Sequence, residues 1–210
     1  MAYLVLVRHG KSEWNLLGKW TGYTDIGLVP QGIEEAQRAA EAIKDIPIDC
    51  AFVSDLKRAQ ETFTEICRAL DKSDMKVVID PAIKERHYGV YTGKNKWEVQ
   101  KEIGEEAFHK LRRGWDVPIP EGETLKDVHA RVVPYYEKNI KPLLMEGKNL
   151  LVVAHGNSLR ALVKHLENIP EDKVAELEIG TGEVYCYKFD EKGKIVEKTI
   201  RATNPNKLNV

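Results

Sequence analysis

The chain has 210 residues, of which 32 are Lys or Arg and 33 are Asp or Glu, so its formal net charge is -1. Hydrophobic residues make up 42% and charged residues 31%, a composition typical of a globular protein and without the strong basic bias that non-specific nucleic-acid binding requires. The three cysteines form no CxxC pair and indicate neither a disulfide framework nor a zinc cluster. We expect one domain over residues 1–210, with no nucleic-acid or membrane partner, because no apolar run reaches the roughly 20 residues of a membrane helix. The N-terminal residues lack the basic segment and long apolar stretch of a signal peptide, so we expect a cytoplasmic protein.

The first predicted element is a buried strand over residues 3–7, in "YLVLVRHGKSEW". It ends at Arg8, His9 and Gly10, and Ser12 follows near the start of an expected helix. The next stretch, "GKWTGYTDIGLVPQG", has too many glycines for a regular element and is predicted to be a loop that carries function.

Helices and strands then alternate along the chain. Pro30 suits the first turn of a helix that runs to about residue 44, with Ile33, Ala36, Ala40 and Ile43 on one face. "CAFVS" is a predicted strand, Asp55 can start a helix through residue 68, and "KVVID" is another short strand. This alternation predicts an α/β fold of three layers, in which helices flank a mostly parallel central sheet.

Residues 81–122 break the regular pattern. They are rich in charged and aromatic residues, and helical periodicity extends only from about 96 to 112. We interpret this segment as an irregular insertion that closes over the site as a lid. "GETLKDVHARVVPYYEKNIKPLLMEG" follows as a long helix capped by Thr124 and kinked at Pro134.

The second half of the chain repeats the pattern of an apolar strand, a His-Gly pair and a helix start. "NLLVVAHGNSLR" is again a short apolar strand followed by His155, Gly156 and a helix start. "EVYCYKF" and "KIVEKTI" are predicted antiparallel partners around a turn at residues 190–193. From about residue 202 to 210 the tail is polar, and we expect it to be mobile.

The two His-Gly turns predict an anion site. In an open α/β sheet the carboxyl ends of the strands form the binding crevice, and helix N-termini offer N–H donors and a positive dipole end. Arg8, at the end of a buried strand, and Arg58, in the first turn of a helix, should reach the same edge and bind a phosphate. The alternative is that each histidine only packs at its turn, that Arg58 is a solvated charge, and that the basic residues of the insertion are surface charges.

A phosphate site with histidines suggests phosphoryl transfer. A neutral imidazole can attack phosphorus and carry the phosphoryl group, and His9 suits this role, with His155 donating to the phosphoryl oxygens. The leaving alcohol needs a proton from a carboxyl group. Pattern alone does not separate Glu85 from Glu13, Glu61 or Glu121. No HExxH pair, EF-hand spacing or Walker-type loop occurs, so we expect a mechanism without a metal.

Several stretches together resemble the histidine phosphatase superfamily and, within it, the compact form of the cofactor-dependent phosphoglycerate mutases. They are "LVRHGKSEWN", "TGYTDIGL", "SDLKRAQET", "KERHYG", "LRRGWD" and "AHGNSLRAL". The resemblance runs from about Tyr3 to Phe189 in the family's order. A lone RHG would be a weak signal, but the combination is specific.

The resemblance implies that His9 is the phosphorylated nucleophile, Glu85 the proton donor and acceptor, and His155 the stabiliser of the transferring group. It also implies two sets of binding residues. Around the phosphate these are Arg8, Gly10, Asn15, Arg58, Gly156 and Asn157. Around the substrate's carboxylate and second phosphate they are Ser12, Thr21, Gly22, Arg86, Tyr88, Lys96, Arg112 and Arg113.

The activity implied by the resemblance is the interconversion of 3-phosphoglycerate and 2-phosphoglycerate, a reaction of glycolysis and gluconeogenesis, by an enzyme primed with 2,3-bisphosphoglycerate. Its partner is a small phosphorylated anion, and a homo-oligomer is left open. Two alternatives remain. One is a phosphomonoester hydrolase that uses the same histidine but releases phosphate to water. The other is a catalytically silent module that recognises a phosphorylated partner.

Overall fold

The computed structural model describes residues 1–204, which form a six-stranded mixed sheet. The strands are β1 (Ala2–Arg8), β2 (Cys50–Val53), β3 (Val77–Ile79), β4 (Leu150–Ala154), β5 (Val184–Phe189) and β6 (Ile195–Arg201). Their order across the sheet is β3-β2-β4-β1-β5-β6. The first four strands pair in parallel, whereas β5 runs antiparallel to β1 and to β6. The predicted mostly parallel sheet and the closing antiparallel pair are therefore confirmed.

Helices cover both faces of the sheet. They are α1 (Glu13–Leu16), α2 (Pro30–Ile43), α3 (Lys57–Ala69), α4 (Lys96–Ile103), α5 (Glu105–Arg113), α6 (Leu125–Tyr135), α7 (Lys141–Met145) and α8 (Gly156–Glu167). Alternate residues of β1 separate two cores: Val5 and Val7 pack with α2 and α3, while Leu4 and Leu6 pack with α6 and α8. This alternation follows from the two-residue period of a strand and confirms the three-layer prediction.

Three local predictions about helices were wrong. The first concerned α2, where Ile33 is 36% exposed because Gly32 and Glu35, rather than Ile33, lie on the buried face. The second concerned α3, which begins at Lys57 after Leu56, whereas Asp55 forms an ion pair with Lys84.

The third concerned residues 96–112, which form two helices because Gly104 adopts a φ of +83° between α4 and α5. That conformation ends a helix and is accessible mainly to glycine.

The long helix after Thr124 is irregular beyond the predicted kink at Pro134. Thr124 caps α6, as expected, and Pro134 lies inside it. The chain then forms a π-helical turn at Tyr136–Ile140 before α7. Both Pro134 and Pro142 lack an N–H to donate, so the normal hydrogen-bond ladder is interrupted on either side of this turn.

The insertion has a small apolar cluster of its own. Phe108 and Leu111 of α5 pack there with Val99 of α4 and with Trp20, from the glycine-rich loop. Short 3₁₀ turns at Pro81–Ile83 and Gly89–Tyr91 lead into it. The cluster fixes the insertion against the loop that follows the first His-Gly turn, and so positions its basic residues at one side of the sheet edge.

The start of the C-terminal tail is held in place. Asn204 is buried, its backbone N–H donates to Glu183 Oε1 at 3.0 Å, and its side chain donates to Thr181. The expected mobility of the tail stays a prediction, and its remaining part, 205–210, lies outside the described residues. Within residues 1–204 no helix is long and apolar enough to cross a bilayer.

Candidate active site

The two predicted histidines lie side by side. Strands β1 and β4 are parallel neighbours with Arg8 opposite Ala154, so the residues that follow them, His9 and His155, emerge together at the carboxyl edge of the sheet. Their ring centroids are 4.9 Å apart, with an angle of 57° between the planes, and both side chains are buried. The repeated strand-His-Gly pattern thus builds one site from two distant segments.

The His9 ring presents a free lone pair. Its Nδ1 lies 2.7 Å from the Gly10 carbonyl oxygen, which can only accept, so Nδ1 carries the proton and Nε2 is the unprotonated nitrogen. Burial, followed by the charges of Arg58 and Arg8, lowers the pKa of His9 well below its usual value. The imidazole is therefore neutral near pH 7, as a nucleophile must be.

The His155 ring is fixed by a serine that the sequence reasoning missed. Nε2 of His155 lies 2.8 Å from Ser54 Oγ, at the end of β2. The Leu56 N–H also donates to that oxygen, at 3.4 Å. In the tautomer in which the Ser54 hydroxyl donates to Nε2, the ring proton lies on Nδ1. Nδ1 is buried and has no partner among the described residues. In that tautomer Nδ1 is a donor next to His9.

The pKa of His155 is also well below its usual value. Burial is the main cause, and the charges of Arg58, His9 and Arg8 add to it. A neutral His155 donates through one nitrogen only, which makes the orientation set by Ser54 decisive for what it can contact.

The N-terminus of α8 contacts Glu85. One oxygen, Oε1, accepts from the backbone N–H of Asn157 at 3.1 Å and of Arg86 at 2.7 Å. A Cβ at Gly156 would lie 3.6 Å from Oε2 of Glu85 and 3.5 Å from the guanidinium carbon of Arg8. Glu85 is thus set apart from Glu13, Glu61 and Glu121, none of which lines the two cavities described below.

The two helix starts at which an anion seat was predicted differ in the length of the helix that follows. After His9 the chain forms only the four-residue α1, whose first turn is capped by Ser12, whereas α8 is twelve residues long. A macrodipole needs several aligned turns, so only α8 supplies a substantial positive end. The first His-Gly unit therefore lacks a substantial helix dipole, and the anion seat itself stays a prediction at both units.

Two arginines lie next to the histidines without ion-pair partners among the described residues. Arg8 donates to the Ile179 carbonyl oxygen at 2.7 Å and its Nε is buried with no partner. Arg58 donates to the carbonyl oxygens of Gly22 and Thr24 at 2.9 and 3.0 Å. Burial is the main reason that the pKa of Arg58 falls to about 10, at which it stays charged near neutral pH. These held guanidinium groups fit an oxyanion better than a structural ion pair.

Two small cavities adjoin at this edge of the sheet, since five residues line both of them. The shared residues are Arg8, Trp20, Glu85, Tyr88 and Lys96. The cavity on the His9 side, called the proximal cavity, is completed by His9, Asn15, Lys19, Thr21, Gly22 and Arg58. The other, called the distal cavity, is completed by Arg112, Arg113, Gly156, Asn157, Arg160, Glu178 and Ile179.

The distal cavity concentrates positive charge from the insertion. Lys96 is buried, and desolvation together with the charge of Arg112 lowers the pKa of its amine to about 7. Desolvation and Arg113 lower the pKa of Arg112 to about 10. Burial is the main cause of both shifts, and the neighbouring positive charges add to it, so an anion bound in this cavity would stabilise the charged forms of Lys96 and Arg112.

Four of the predicted site residues do not line either cavity. Gly10 is packed against Gly32, and Ser12 caps α1. His155 is buried beside His9 and does not reach either cavity. Arg86 is fully buried, donates to the Leu111 and Arg112 carbonyl oxygens, and lies over the Tyr88 ring. Gly10, Ser12 and Arg86 therefore shape the site from outside the cavity, and their binding roles stay predictions.

Sequence reasoning missed a further set of cavity residues and one supporting residue. They are Lys19, Trp20, Ser54, Arg160, Glu178 and Ile179. Ser54 had a usable signal, since it follows β2 at the same sheet edge as Arg8 and His155. Glu178 and Ile179 had none, because they lie in a connection without regular periodicity between α8 and β5.

Comparison with known proteins gives a consistent result. Residues 4–201 match the family model of the histidine phosphatase superfamily (branch 1). A 2,3-bisphosphoglycerate-dependent phosphoglycerate mutase of Parvibaculum lavamentivorans is 45% identical over 199 residues, covering 94% of this chain and 95% of that protein. The mutase of the same name from Mesorhizobium japonicum is 44% identical, over 94% and 97% of the two chains.

Solved structures with the same fold are more distant in sequence. YhfR of Bacillus stearothermophilus superposes with a TM-score of 0.80 at 23% identity, covering 93% of this chain and 94% of the other. A putative alpha-ribazole-5'-P phosphatase of Escherichia coli gives a TM-score of 0.77 at 23% identity, covering 100% of both chains. At this identity the likeness concerns the fold.

Proposed function

Because this chain belongs to the histidine phosphatase superfamily, we propose a function that its site and its relatives jointly support. It is a 2,3-bisphosphoglycerate-dependent phosphoglycerate mutase, which interconverts 3-phosphoglycerate and 2-phosphoglycerate. The observation that carries this proposal is the pair of neutral histidines, 4.9 Å apart, of which His9 lines the proximal one of two adjoining cationic cavities. One cavity suits the transferring phosphoryl group, and the other suits the second anionic group of a phosphoglycerate.

His9 acts as the nucleophile. Its unprotonated Nε2 attacks phosphorus, the bond from phosphorus to the alcohol oxygen breaks, and a phosphohistidine forms. In the reverse step the substrate hydroxyl attacks that phosphorus and the bond to Nε2 breaks. The Gly10 carbonyl holds the ring in the required tautomer through both steps.

Glu85 handles the proton. It lies next to Arg8 and Gly156 in the shared wall of the two cavities, where the oxygen of the departing or attacking hydroxyl must be. It gives a proton to the alkoxide when the bond to phosphorus breaks and takes it back from the attacking hydroxyl. The two backbone N–H groups that bind Oε1 keep the other oxygen, Oε2, available for this transfer.

His155, Arg8 and Arg58 stabilise charge on the phosphoryl oxygens. Among residues 1–204, Arg8 Nε and His155 Nδ1 are buried without a partner. With the ring proton of His155 on Nδ1, both are donors that a phosphoryl oxygen would satisfy. The donors are fixed before the reaction by Ser54 and by backbone carbonyls. Preorganised donors of this kind lower the barrier because they need not reorient as charge moves.

The distal cavity holds the part of the substrate that does not react. Lys96, Arg112 and Arg113 supply positive charge there, and Tyr88 and Asn157 supply neutral polar groups. When the two anionic groups of the substrate lie in separate cavities, either hydroxyl of glycerate can be placed near His9, depending on the orientation of the bound molecule. Closure by the insertion also keeps water from the phosphohistidine.

2,3-Bisphosphoglycerate supplies the phosphoryl group that primes His9. The site fits such a compound, because Arg8 Nε and His155 Nδ1 are buried without a partner in the described part of the chain and the two cavities are predominantly cationic. We further propose that no metal takes part. The described residues contain no group of three or more His, Cys, Asp or Glu placed to hold one, and the guanidinium and imidazole donors can carry the charge.

A phosphatase is the second candidate. The E. coli structure with a TM-score of 0.77 bears the name of a phosphatase, and hydrolysis needs only the proximal cavity. Arg112 and Arg113 of the distal cavity, together with Lys96, which lines both cavities, favour the mutase instead, since a general phosphatase does not need them. The silent binding module is disfavoured by the fully assembled His9, His155 and Glu85. The cytoplasmic location and the oligomeric state stay predictions.

The deciding experiment follows 3-phosphoglycerate conversion in EDTA, with and without trace 2,3-bisphosphoglycerate, and measures phosphate release in the same sample. We expect rapid isomerisation that the bisphosphate stimulates, with little phosphate released. Phosphate release without isomerisation would establish the hydrolase. Loss of isomerisation in EDTA, with recovery on adding a divalent cation, would contradict the metal-free mechanism.

A further inference from the structure

An acidic residue lies where the substrate's second anionic group is expected to bind. Among the described residues that line the two cavities, the carboxylates are Glu85 and Glu178. Glu85 has a role as the proton carrier. Glu178 lines only the distal cavity, beside Arg112 and Arg113, and no step of the reaction uses it.

Glu178 is an ion-pair partner of Arg113. Its Oε2 pairs with Arg113 Nη1, and only 12 to 13% of either side chain is exposed. It is also a source of negative charge for Arg112 and Arg160, whose pKa values it raises against the larger lowering effect of burial. A partly buried carboxylate in this position interacts with its neighbours more strongly than one on the open surface.

The ion pair between Glu178 and Arg113 is not required to hold the end of α5 next to the segment that carries Glu178. Arg160, on α8, donates from Nη2 to the Arg113 carbonyl oxygen at 2.8 Å and also to the Val174 carbonyl at 2.8 Å. Its Nε donates to the Leu177 carbonyl oxygen at 3.0 Å. The end of α5 and the segment that carries Glu178 are therefore joined through main-chain oxygens whether or not Glu178 is charged.

We propose that Glu178 is a specificity-determining counter-ion of the distal cavity. It neutralises Arg113 in the free protein, and the anionic group of the substrate must compete with it for that guanidinium. This inference rests on the proposed function and deepens it, since it concerns the same phosphoglycerate site. Its consequence is that the distal cavity binds its anion less tightly than its number of cations would indicate.

Weaker binding in the distal cavity suits a reaction in which the bound bisphosphorylated compound must reverse its orientation. A bisphosphorylated compound carries more negative charge than 3-phosphoglycerate, so its affinity gains more from any increase in cavity charge. By occupying Arg113, Glu178 limits the tight binding of the bisphosphate that would otherwise slow its reorientation and release.

The test is a calorimetric titration of the unphosphorylated full-length protein with 3-phosphoglycerate, which requires no turnover. We expect Glu178→Gln to bind about three to ten times more tightly than the unaltered protein, an effect of the size seen for partly buried charges. Glu178→Asp, which keeps the charge, should stay near the unaltered affinity.

The matched control is Glu176→Gln. It removes the same charge two residues away, where Glu176 forms an exposed pair with Lys173 and lines neither cavity. It should leave the affinity unchanged, which separates a local effect from one of net charge. Far-UV circular dichroism of each variant checks that the fold is retained.

Equal or weaker binding by a folded Glu178→Gln protein would overturn the inference, since it would show that Glu178 positions Arg113 rather than competing for it. Equal tightening by Glu176→Gln would overturn it as well. Failure of the proposed function has a different result, because the unaltered protein itself would then not bind 3-phosphoglycerate.

Discussion

The proximal and distal cavities adjoin, but the chain builds them in different ways. On the proximal side His9, Ser54 and His155 directly follow three neighbouring parallel strands, so the sheet itself brings them together. On the distal side Lys96, Arg112 and Arg113 come from helices of an insertion with a small apolar cluster of its own. We infer that the proximal residues set the chemistry and the distal residues set the affinity. Substitutions on the two sides should therefore affect different kinetic constants.

Substitution at His9 gives the largest expected effect. His9→Ala removes the nucleophile while leaving the distal cations, so phosphoryl transfer should fall by a factor of about 10⁴ or more. The measurement is the transfer of labelled phosphate from 2,3-bisphosphoglycerate to the protein, together with the isomerisation rate. Retained binding of 3-phosphoglycerate would show that the two cavities act separately, whereas substantial isomerisation would rule out the phosphohistidine mechanism.

Ser54 tests whether the proximal geometry acts on kcat alone. Ser54→Ala removes the hydroxyl that orients His155, and we expect kcat to fall by about tenfold to a hundredfold with KM little changed. Ser54→Thr keeps a hydroxyl and should recover part of the loss. A change in KM of the same size as that in kcat would mean that Ser54 supports binding rather than the transition state.

Arg112 is the corresponding test on the distal side. Arg112→Gln should raise KM by about tenfold while kcat changes less, because the lost contact is made in both the ground state and the transition state. Steady-state assays at several substrate concentrations distinguish the two constants. If kcat falls by more than KM rises, the division between the cavities is not valid.

The pH dependence of binding gives the smallest effect. Since the pKa of Lys96 is about 7 in the free protein, the amine is largely neutral above that pH, and a bound anion favours its protonation. Affinity should therefore fall as pH rises through 7, by at most about tenfold per pH unit, with uptake of a proton on binding. Titrations in buffers of different ionisation enthalpy measure that proton. Lys96→Arg should remove most of this dependence.

The contrast between the two cavities also explains how much of the fold and of the site could be predicted from the sequence. Alternating strands and helices predicted the three layers, and the two strand-His-Gly patterns predicted which residues would meet, because the ends of parallel strands share one sheet edge. The pattern did not distinguish Glu85 from other glutamates, since its orientation depends on hydrogen bonds to α8. Resemblance to a family was needed for it and for the basic residues of the insertion. Glu178 was missed by both.

The turn at residues 8–11, which carries His9, has a further property, which concerns the exchange of its backbone amide hydrogens with solvent. Its four backbone N–H groups donate to four different parts of the molecule: Arg8 to Glu183, His9 to Ala154 in β4, Gly10 to Thr62 in α3, and Lys11 to Glu35 in α2.

No single segment can open and release all four. These amides should therefore exchange their hydrogens only when the whole fold opens, while those near Gly104 in the insertion exchange earlier. Hydrogen exchange followed by mass spectrometry measures both regions, and early exchange of residues 8–11 would contradict this expectation. A turn so restrained holds its nucleophile in place independently of the insertion.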